Sequence, residues 1–421
     1  MIKKFKLRND IEVIVEKLEH VKSVSVGYWV RVGSMNETEK NNGVSHFIEH
    51  MLFKGTEHLT AKEIATTMDN IGGQLNAFTS KECTCYYAKV MDTHVDIAFN
   101  VLSDMIQNPL FEERDIERER GVVIEEINMY EDSPEDLAHD ELAKVMYQNN
   151  PLGYPILGTI ETLTAMDREC IVSYYNQYYT PQNLVISVVG NVDYDQVIEM
   201  LNDRLGDWEA KHGEFNQKVT EELTTGVVKR TKDIEQFHMC LGFKGYGRND
   251  QRQYSLLVLN NILGGSMSSR LFQKIREEMG LVYSIYSYPT NYFDTGVFTI
   301  YAGMNSNEVE TVMALIKDEL ELLKTESVSD EEFLTAKEQL KGNYILGLES
   351  TSSRMINYGR SYLLEGSIKT QEEILEKIDK ISKKDIDNII EDIFSNPVSI
   401  SYVSDYEETD EIHNRIIEKL R

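Results

Sequence analysis

The chain has 421 residues, enough to bury a large core in more than one domain. Its hydrophobic content of 41% and charged content of 27% are ordinary for a globular protein, and no apolar run is long enough to cross a bilayer. The net charge of −28 disfavours nucleic acid and anionic membranes as partners. It is compatible with a basic peptide substrate, although solubility alone explains the charge equally well.

The four cysteines, Cys83, Cys85, Cys170 and Cys240, predict a protein without disulfides. Cys83 and Cys85 are two residues apart on one face of a predicted strand, where a disulfide between them has poor geometry. The brief basic start of the chain is not followed by the apolar core of a signal peptide. We therefore expect the mature chain to begin near Met1 and to act in the cytoplasm.

The first half of the chain predicts alternating strands and helices. In chain order these are strands at 11–16 and 22–33, a helix carrying residues 46–50, a helix after Thr60, strands through Asn76 and at 86–90, helices at 95–106 and 112–130, a strand at 183–190 and a helix after Asp193. Thr60 is a suitable N-cap because its hydroxyl can accept from the first turn of a helix.

The second half repeats that order, which predicts an internal duplication. Its elements are a strand at 236–243, a helix at 254–263, residues 270–278 leading into a strand at 281–288, a strand at 296–302, helices at 308–323 and 330–348, and a strand at 397–403. We predict an α+β fold of two similar α/β sandwich domains, each an antiparallel-rich sheet packed by helices. The predicted boundaries are 1–212 for the first domain, 213–232 for a polar linker and 233–421 for the second domain.

The motif that carries chemistry is His46-Phe47-Ile48-Glu49-His50. Histidines at i and i+4 share one helix face, so both imidazoles can reach one metal ion. Glu49 lies three residues after His46 and is placed to take a proton from a metal-bound water. Apolar residues flank the motif, and a buried helix rarely carries two histidines and a glutamate without a partner for them. The alternative is a helix surface with no metal.

A third metal ligand is expected from the predicted helix at 112–130. Glu119 and Glu126 are seven residues apart and lie on nearly the same helix face, whereas Glu125 points about 100° away from Glu126. Charged runs on helices are usually solvated surfaces, so spacing alone does not choose among these acids.

Residues 43–56, together with a glutamate 76 positions after His50, resemble the signature of the pitrilysin-type inverted zinc peptidases. The resemblance covers nearly the whole chain, and its length is similar to the mitochondrial-processing-peptidase subgroup and its bacterial relatives. By position, the resemblance implies that His46, His50 and Glu126 bind zinc. It also implies that Glu49 is the general base and that Glu119 is an additional glutamate near the metal. The second half has Asn260-Asn261-Ile262-Leu263-Gly264-Gly265 in place of the motif, so we predict one zinc per chain.

Two further segments are similar to functional parts of that family. Residues 72–80, including Asn76, Ala77 and Phe78, resemble the strand along which an extended substrate is laid. Arg276 and Tyr283 resemble a pair that assists catalysis, because a guanidinium and a phenol can donate to a developing oxyanion. From composition alone, an ordinary strand and two structural side chains are the alternatives.

The resemblance therefore implies a zinc-dependent endopeptidase that cleaves short or unfolded peptides inside a closed chamber. Family members enclose the substrate with four such domains, so a chain with two domains is expected to form a homodimer. Arg276 and Tyr283 would then serve either their own zinc or that of the partner. The alternatives are a non-catalytic scaffold, which the intact motif argues against, and an enzyme that needs a zinc-less partner chain.

Overall fold

Residues 2–209 and 223–405 are described by the computed structural model, and they separate into two units that each contain one β-sheet. Of the described residues, the first unit contains 2–128, 154–209 and 347–368. The second unit contains 129–153, 223–346 and 369–405. Each unit thus includes one segment from the other half of the sequence, so the units are not the same as the predicted continuous domains. We keep 1–212 and 233–421 as a proposal for the two duplicated halves of the sequence.

The strands divide between the two sheets in sequence order. The first sheet contains β1 (Ile2–Lys6), β2 (Glu12–Lys17), β3 (Ser23–Val30), β4 (Gln74–Thr79), β5 (Thr84–Met91) and β6 (Leu184–Gly190), in the spatial order β1-β2-β6-β3-β5-β4. The second contains β7 (Val227–Thr231), β8 (Phe237–Lys244), β9 (Val282–Asn291), β10 (Gly296–Met304) and β11 (Ser399–Ser404), in the order β7-β11-β8-β10-β9.

Five strands of the first sheet repeat the topology of the second sheet, which confirms the predicted duplication, and β1 is an additional edge strand of the first sheet. In the first sheet β2 is parallel to β6, and β3, β5 and β4 follow with antiparallel pairing. In the second, β7 is parallel to β11, and β8, β10 and β9 follow in the same way. Strand β7 falls in residues 213–232, which were predicted to be a linker. That prediction is wrong for Val227–Thr231, and residues 213–222 lie outside the described part of the chain.

The helices account for most of the remaining described chain. The first half contains α1 (Val44–Met51), α2 (Ala61–Asp69), α3 (Val95–Gln107), α4 (Glu113–Glu131), α5 (Pro134–Met146), α6 (Ile160–Ala165), α7 (Arg168–Tyr178) and α8 (Tyr194–Leu205). The second half contains α9 (Gln253–Leu263), a π-helix at Phe272–Glu278, α10 (Val309–Glu326), α11 (Asp330–Gly347), α12 (Thr351–Glu365), α13 (Gln371–Lys380) and α14 (Lys383–Phe394). As predicted, Thr60 caps α2 and accepts from the Glu63 N–H at 3.3 Å. Among the described helices, none is both long and apolar enough to span a membrane.

The central strands β2, β3 and β6 are buried on both faces. Their alternate residues point to opposite sides of the sheet, and each side packs into an apolar cluster. On β2, Val13 and Val15 join the main core, which also contains Phe47 of α1 and Phe99 of α3. Ile14 points to the other face and belongs to a smaller apolar cluster with residues of α12. The metal-motif helix α1 is therefore anchored in the main core of this unit.

The second sheet has one apolar face and one more polar face. Its apolar core combines strand residues such as Phe298 and Ile300 with Leu259 of α9 and Ile389 of α14. Helix α5 packs on β8 and β11, where Ser401 Oγ donates to the Ala138 carbonyl. Each sheet is thus completed by a helix from the other half of the sequence, since α12 covers the first sheet and α5 the second.

Helix α12 lies close to the first sheet because a glycine on each of the two elements leaves room for a side chain of the other. A Cβ atom on Gly27 of β3 would collide with the Met355 side chain, and one on Gly359 of α12 would collide with the Trp29 indole. The Trp29 indole N–H donates to Ser187 Oγ at 3.0 Å, and that hydroxyl donates to the Met355 carbonyl at 3.0 Å. These contacts fix α12 against the fully buried Trp29 side chain.

This packing predicts opposite effects for two Gly→Ala substitutions in helices. Gly359→Ala should destabilise the protein by about 1–3 kcal/mol, because the added methyl overpacks a rigid interface. Gly342→Ala in α11 should stabilise it by about 0.5–1 kcal/mol, because a Cβ there has nothing within 4 Å and alanine favours the helix. Chemical denaturation of both variants measures this. A Gly359→Ala protein as stable as Gly342→Ala would contradict the described docking of α12.

Candidate metal centre and active site

Helix α1 presents both motif histidines from a fixed starting point. It begins after Gly43, whose φ of 94° lies in the left-handed region. A Cβ there would lie 2.7 Å from the Leu157 carbonyl oxygen and 2.9 Å from Gly158 Cα, so only glycine fits. The rings of His46 and His50 lie 4.6 Å apart between centroids, at 66° to each other. Both imidazoles therefore occupy one side of a short helix, as their spacing predicts.

Glu126 of α4 meets this imidazole pair. Its Oε2 atom lies 3.8 Å from His46 Nε2 and 3.5 Å from His50 Nε2, and one ligand atom from each of the three residues falls within 4.8 Å of the others. Ligands of a tetrahedral zinc ion with bonds of about 2.0–2.2 Å lie roughly 3.4 Å apart. The donor set and spacing thus fit such an ion. Within residues 2–209 and 223–405 this is the one group of at least three His, Cys, Asp or Glu side chains found to be suitable.

Burial keeps His46 ready to act as a ligand. The side chain is buried, and its pKa falls to about 4, mainly because of desolvation and further because of the neighbouring His50. At neutral pH the imidazole is therefore uncharged, with a lone pair available to a metal. Its Nδ1 atom has no hydrogen-bond partner in the described part of the chain.

Glu126 is held in its anionic form. Its hydrogen bond with His50 lowers the pKa of the carboxyl group against the opposing effect of burial. The adjacent Glu125 is exposed, as its position on the helix predicts. The geometry therefore selects Glu126 from the acidic residues among which sequence spacing did not decide.

Glu49 lies on the same helix and is buried. Its Oε2 accepts a hydrogen bond from Thr79 Oγ1 at 2.5 Å, which joins α1 to strand β4. Burial raises the pKa of the Glu49 carboxyl, and the Thr79 hydrogen bond opposes this effect. A raised pKa makes this carboxylate a stronger base than an exposed glutamate.

Glu119 of α4 is nearly fully buried and lies beside the same histidine pair. Its Oε1 is 3.9 Å from His50 Nδ1, and its Oε2 forms an ion pair with Lys54 Nζ. The structure thus brings Glu119 and Glu126 to one side of α4, both facing His50. Lys54 was not singled out from the sequence, because its ion pair joins residues that are distant along the chain.

The predicted substrate strand is β4, which forms an edge of the first sheet. Asn76 is exposed and its Oδ1 accepts from the Ala77 N–H at 2.8 Å. Phe78 packs edge-on against Trp29, with ring centroids 5.7 Å apart. An edge strand has main-chain groups available for pairing, and Thr79 links this strand directly to Glu49.

Arg276 and Tyr283 belong to the second unit. The Arg276 guanidinium lies 4.8 Å from the Phe272 ring centroid and 5.9 Å from that of Tyr283. Tyr283 is 75% exposed, and Arg276 lies in the π-helix, a rare conformation that is frequent at functional sites. The two residues are neighbours, and their participation in catalysis stays a prediction.

With this geometry established, comparisons with known proteins define the class: the chain belongs to peptidase family M16, the pitrilysin-type family that the motif predicts. The family model described as insulinase (peptidase family M16) matches residues 12–160. The model described as the peptidase M16 inactive domain matches residues 165–340. Assignment to the mitochondrial-processing-peptidase-like subgroup stays a prediction.

Individual relatives match over most of the chain. The Bacillus subtilis protein YmxG is 45% identical over 96% of this chain and 98% of its own length. A Streptomyces coelicolor protein is 37% identical over 96% of this chain and 89% of its own. Both are named uncharacterized zinc proteases. A solved protease structure from Helicobacter pylori superposes with a TM-score of 0.90, 23% identity and coverage of 96% of this chain and 99% of that one, which supports the fold.

Proposed function

We propose that this M16 protein is a zinc-dependent endopeptidase with one zinc ion per chain, held by His46, His50 and Glu126. The observation that carries the proposal is the convergence of two imidazole nitrogens and one carboxylate oxygen from α1 and α4. The names of the relatives, zinc proteases, support the choice of metal. Three nitrogen and oxygen ligands leave the fourth position that catalytic zinc sites keep open.

A zinc ion bound there would polarise the scissile carbonyl and acidify a water molecule. The chain's own residues then handle the proton. Glu49 accepts it from the attacking water and passes it to the leaving amine. The Thr79 hydroxyl orients the Glu49 carboxylate through the 2.5 Å hydrogen bond. Glu119, paired with Lys54, supports His50 from the side of α4.

The substrate is proposed to be a short or unfolded peptide. Such a peptide can pair in extended form with β4, an edge strand of the described sheet, along Asn76, Ala77 and Phe78. Main-chain pairing tolerates many side chains, and the net charge of −28 favours basic peptides. Because the Thr79 end of β4 contacts Glu49, pairing along this strand directs the peptide towards the general base.

The remaining parts of the proposal concern assembly and location. A homodimer would provide the four domains that enclose a chamber in the mitochondrial-processing-peptidase-like subgroup. Arg276 and Tyr283, which lie side by side, would donate to the oxyanion in their own chain or in the partner. Cys83, Cys85 and Cys240 are buried free thiols, which supports action in the cytoplasm.

Removal of the metal tests this function. The purified protein should contain about one zinc per chain and cleave peptides in a library digest. A chelator should abolish cleavage, and added zinc should restore it. Size-exclusion mass measured on the same sample tests the homodimer. Cleavage that persists after complete zinc removal would contradict the proposed chemistry, and a zinc-loaded dimer that cleaves no peptide would contradict the endopeptidase assignment.

A further inference from the structure

Glu37 is a fully buried carboxylate that lies just before the metal-motif helix. Its Oε2 accepts from the Gly43 N–H and from Asn42 Nδ2, both at 2.8 Å. Its Oε1 accepts from the Ser45 N–H at 2.8 Å. All three groups are donors, so the carboxylate serves them only as an acceptor. Burial raises the pKa of the Glu37 carboxyl, and these three hydrogen bonds oppose that effect because they favour the ionised form.

The two backbone donors are the ones that α1 cannot satisfy by itself. The first N–H groups of any helix lack partners within the helix, and a side chain at the N-cap usually accepts from them. Here the N-cap is Gly43, which has no side chain, and no side-chain cap is formed at that position. The Glu37 carboxylate replaces it from six residues upstream.

The starting point of α1 determines where its histidines point. Ser45 is the residue directly before His46, so the Ser45 N–H bond to Glu37 fixes the backbone from which the first imidazole projects. The Ser45 hydroxyl also pairs with Tyr174 OH at 2.9 Å. His46 and His50 lie one turn apart on the same short helix, whereas Glu126 lies on α4. A shift of the first turn of α1 would therefore move both imidazoles relative to Glu126.

The negative charge of Glu37, like its hydrogen bonds, favours a metal ion at His46. A helix N-terminus carries roughly half a positive charge, which disfavours a divalent cation held by a side chain of the first turn. His46 is the third residue of α1. An anionic carboxylate at that end offsets the repulsion in a buried setting, where screening by water is weak.

We propose that Glu37 is a positioning residue of the metal centre, which acts through the N-terminus of α1 to set zinc affinity without touching zinc or substrate. This inference rests on the proposed zinc function. Burial alone would give Glu37 only a structural role, and its hydrogen bonds to the start of α1 are what connect it to the metal centre.

The test compares two isosteric substitutions of buried carboxylates in the same unit. Glu37→Gln removes the charge and turns one acceptor into a donor. Glu16→Gln is the matched control, because Glu16 is buried on β2, where its carboxylate accepts from Arg354 Nη1 and Tyr358 OH, each at 3.0 Å. Zinc dissociation constants are measured by competition with a chromophoric chelator, and the Tm of each zinc-free protein is measured alongside.

Glu37→Gln is expected to weaken zinc binding by about 10- to 100-fold, as substitutions behind metal ligands usually do. Glu16→Gln is expected to lower Tm yet keep the wild-type zinc affinity. At saturating zinc, the kcat of Glu37→Gln should return close to that of the wild type, because Glu37 does not contact the reacting atoms. The inference would be overturned by a folded Glu37→Gln protein that binds zinc as tightly as the wild type, or as tightly as Glu16→Gln does.

A second variant decides the matter if Glu37→Gln does not fold. Glu37→Asp keeps the charge, but its shorter arm cannot reach both backbone N–H groups, so zinc binding should weaken several-fold. Wild-type affinity in Glu37→Asp would overturn the inference. A wild-type chain that binds no zinc would overturn the proposed function as well, whereas a zinc-binding wild type with unaffected Glu37 variants would overturn this inference alone.

Discussion

Replacement of Glu49 by glutamine is expected to lower kcat/KM for peptide cleavage by about 10³-fold while zinc stays bound, since removal of a general base usually costs 10²–10⁴-fold. Glutamine has nearly the same shape but cannot accept the proton of the attacking water. The three proposed ligands are unchanged, and Thr79 can still donate to the amide oxygen of the new side chain. The variant should therefore fold normally and separate the proton-transfer step from metal binding.

The measurement pairs steady-state kinetics with metal analysis of the same sample. Glu57→Gln is the control, because Glu57 is an exposed glutamate close to α1 in the sequence, and this variant should keep wild-type activity. Thr79→Val should give an intermediate loss, because Glu49 remains but is no longer oriented. Undiminished cleavage by Glu49→Gln would remove Glu49 from the role of general base. Loss of zinc from that variant would instead mean that Glu49 supports the metal.

The local parts of this fold are predictable because their causes lie within a few residues. Thr60 and Glu63 form a capping box over three positions, and they mark the start of α2 where the sequence predicts it. The spacing of His46 and His50 fixes their common helix face in the same way. In these segments helix periodicity and capping are sufficient to predict the structure, without knowledge of any distant contact.

Strand β7 shows where local patterns are too weak. Val227–Thr231 is only partly buried at the edge of the second sheet, so its apolar signal is faint beside the polar residues that surround it. The duplication could have revealed it, because β7 occupies the place that β2 holds in the first sheet. The second half therefore needed a strand before β8, and the predicted linker was the segment that supplies it.

The contacts that complete the site were beyond sequence analysis for a different reason. Lys54, Thr79 and Glu37 act through hydrogen bonds or ion pairs with residues that no helical or strand period relates to them. Helices α5 and α12 were also missed. Each packs on the sheet of the opposite sequence half, so their partners lie more than a hundred residues away. Such pairings become visible only when both elements have been placed.

Glu126 and Glu125 provide a sharp test of the third ligand, because two adjacent and chemically identical residues are predicted to behave differently. Glu126→Gln replaces an anionic oxygen ligand with a neutral amide. If three ligands share a zinc-binding free energy of about 10–16 kcal/mol, loss of one should weaken zinc binding by roughly 10²- to 10⁴-fold. Peptide cleavage at limiting zinc should fall in parallel. Glu125→Gln should change neither property, because the Glu125 side chain is exposed on another face of α4.

The Tm of the zinc-free protein distinguishes loss of a zinc ligand in Glu126→Gln from unfolding of the variant. The Glu126 side chain is 34% exposed, so replacement by an amide of the same shape should leave the zinc-free protein folded, with a Tm close to that of Glu125→Gln. Both variants are titrated with zinc against a competing chelator, and their Tm values are compared with and without the metal. In Glu126→Gln, zinc should raise Tm less than in Glu125→Gln, because stabilisation by a ligand follows its affinity. Equal zinc affinity in the two variants would show that α4 supplies no ligand through Glu126, and the metal would then depend on the two imidazoles and some other group.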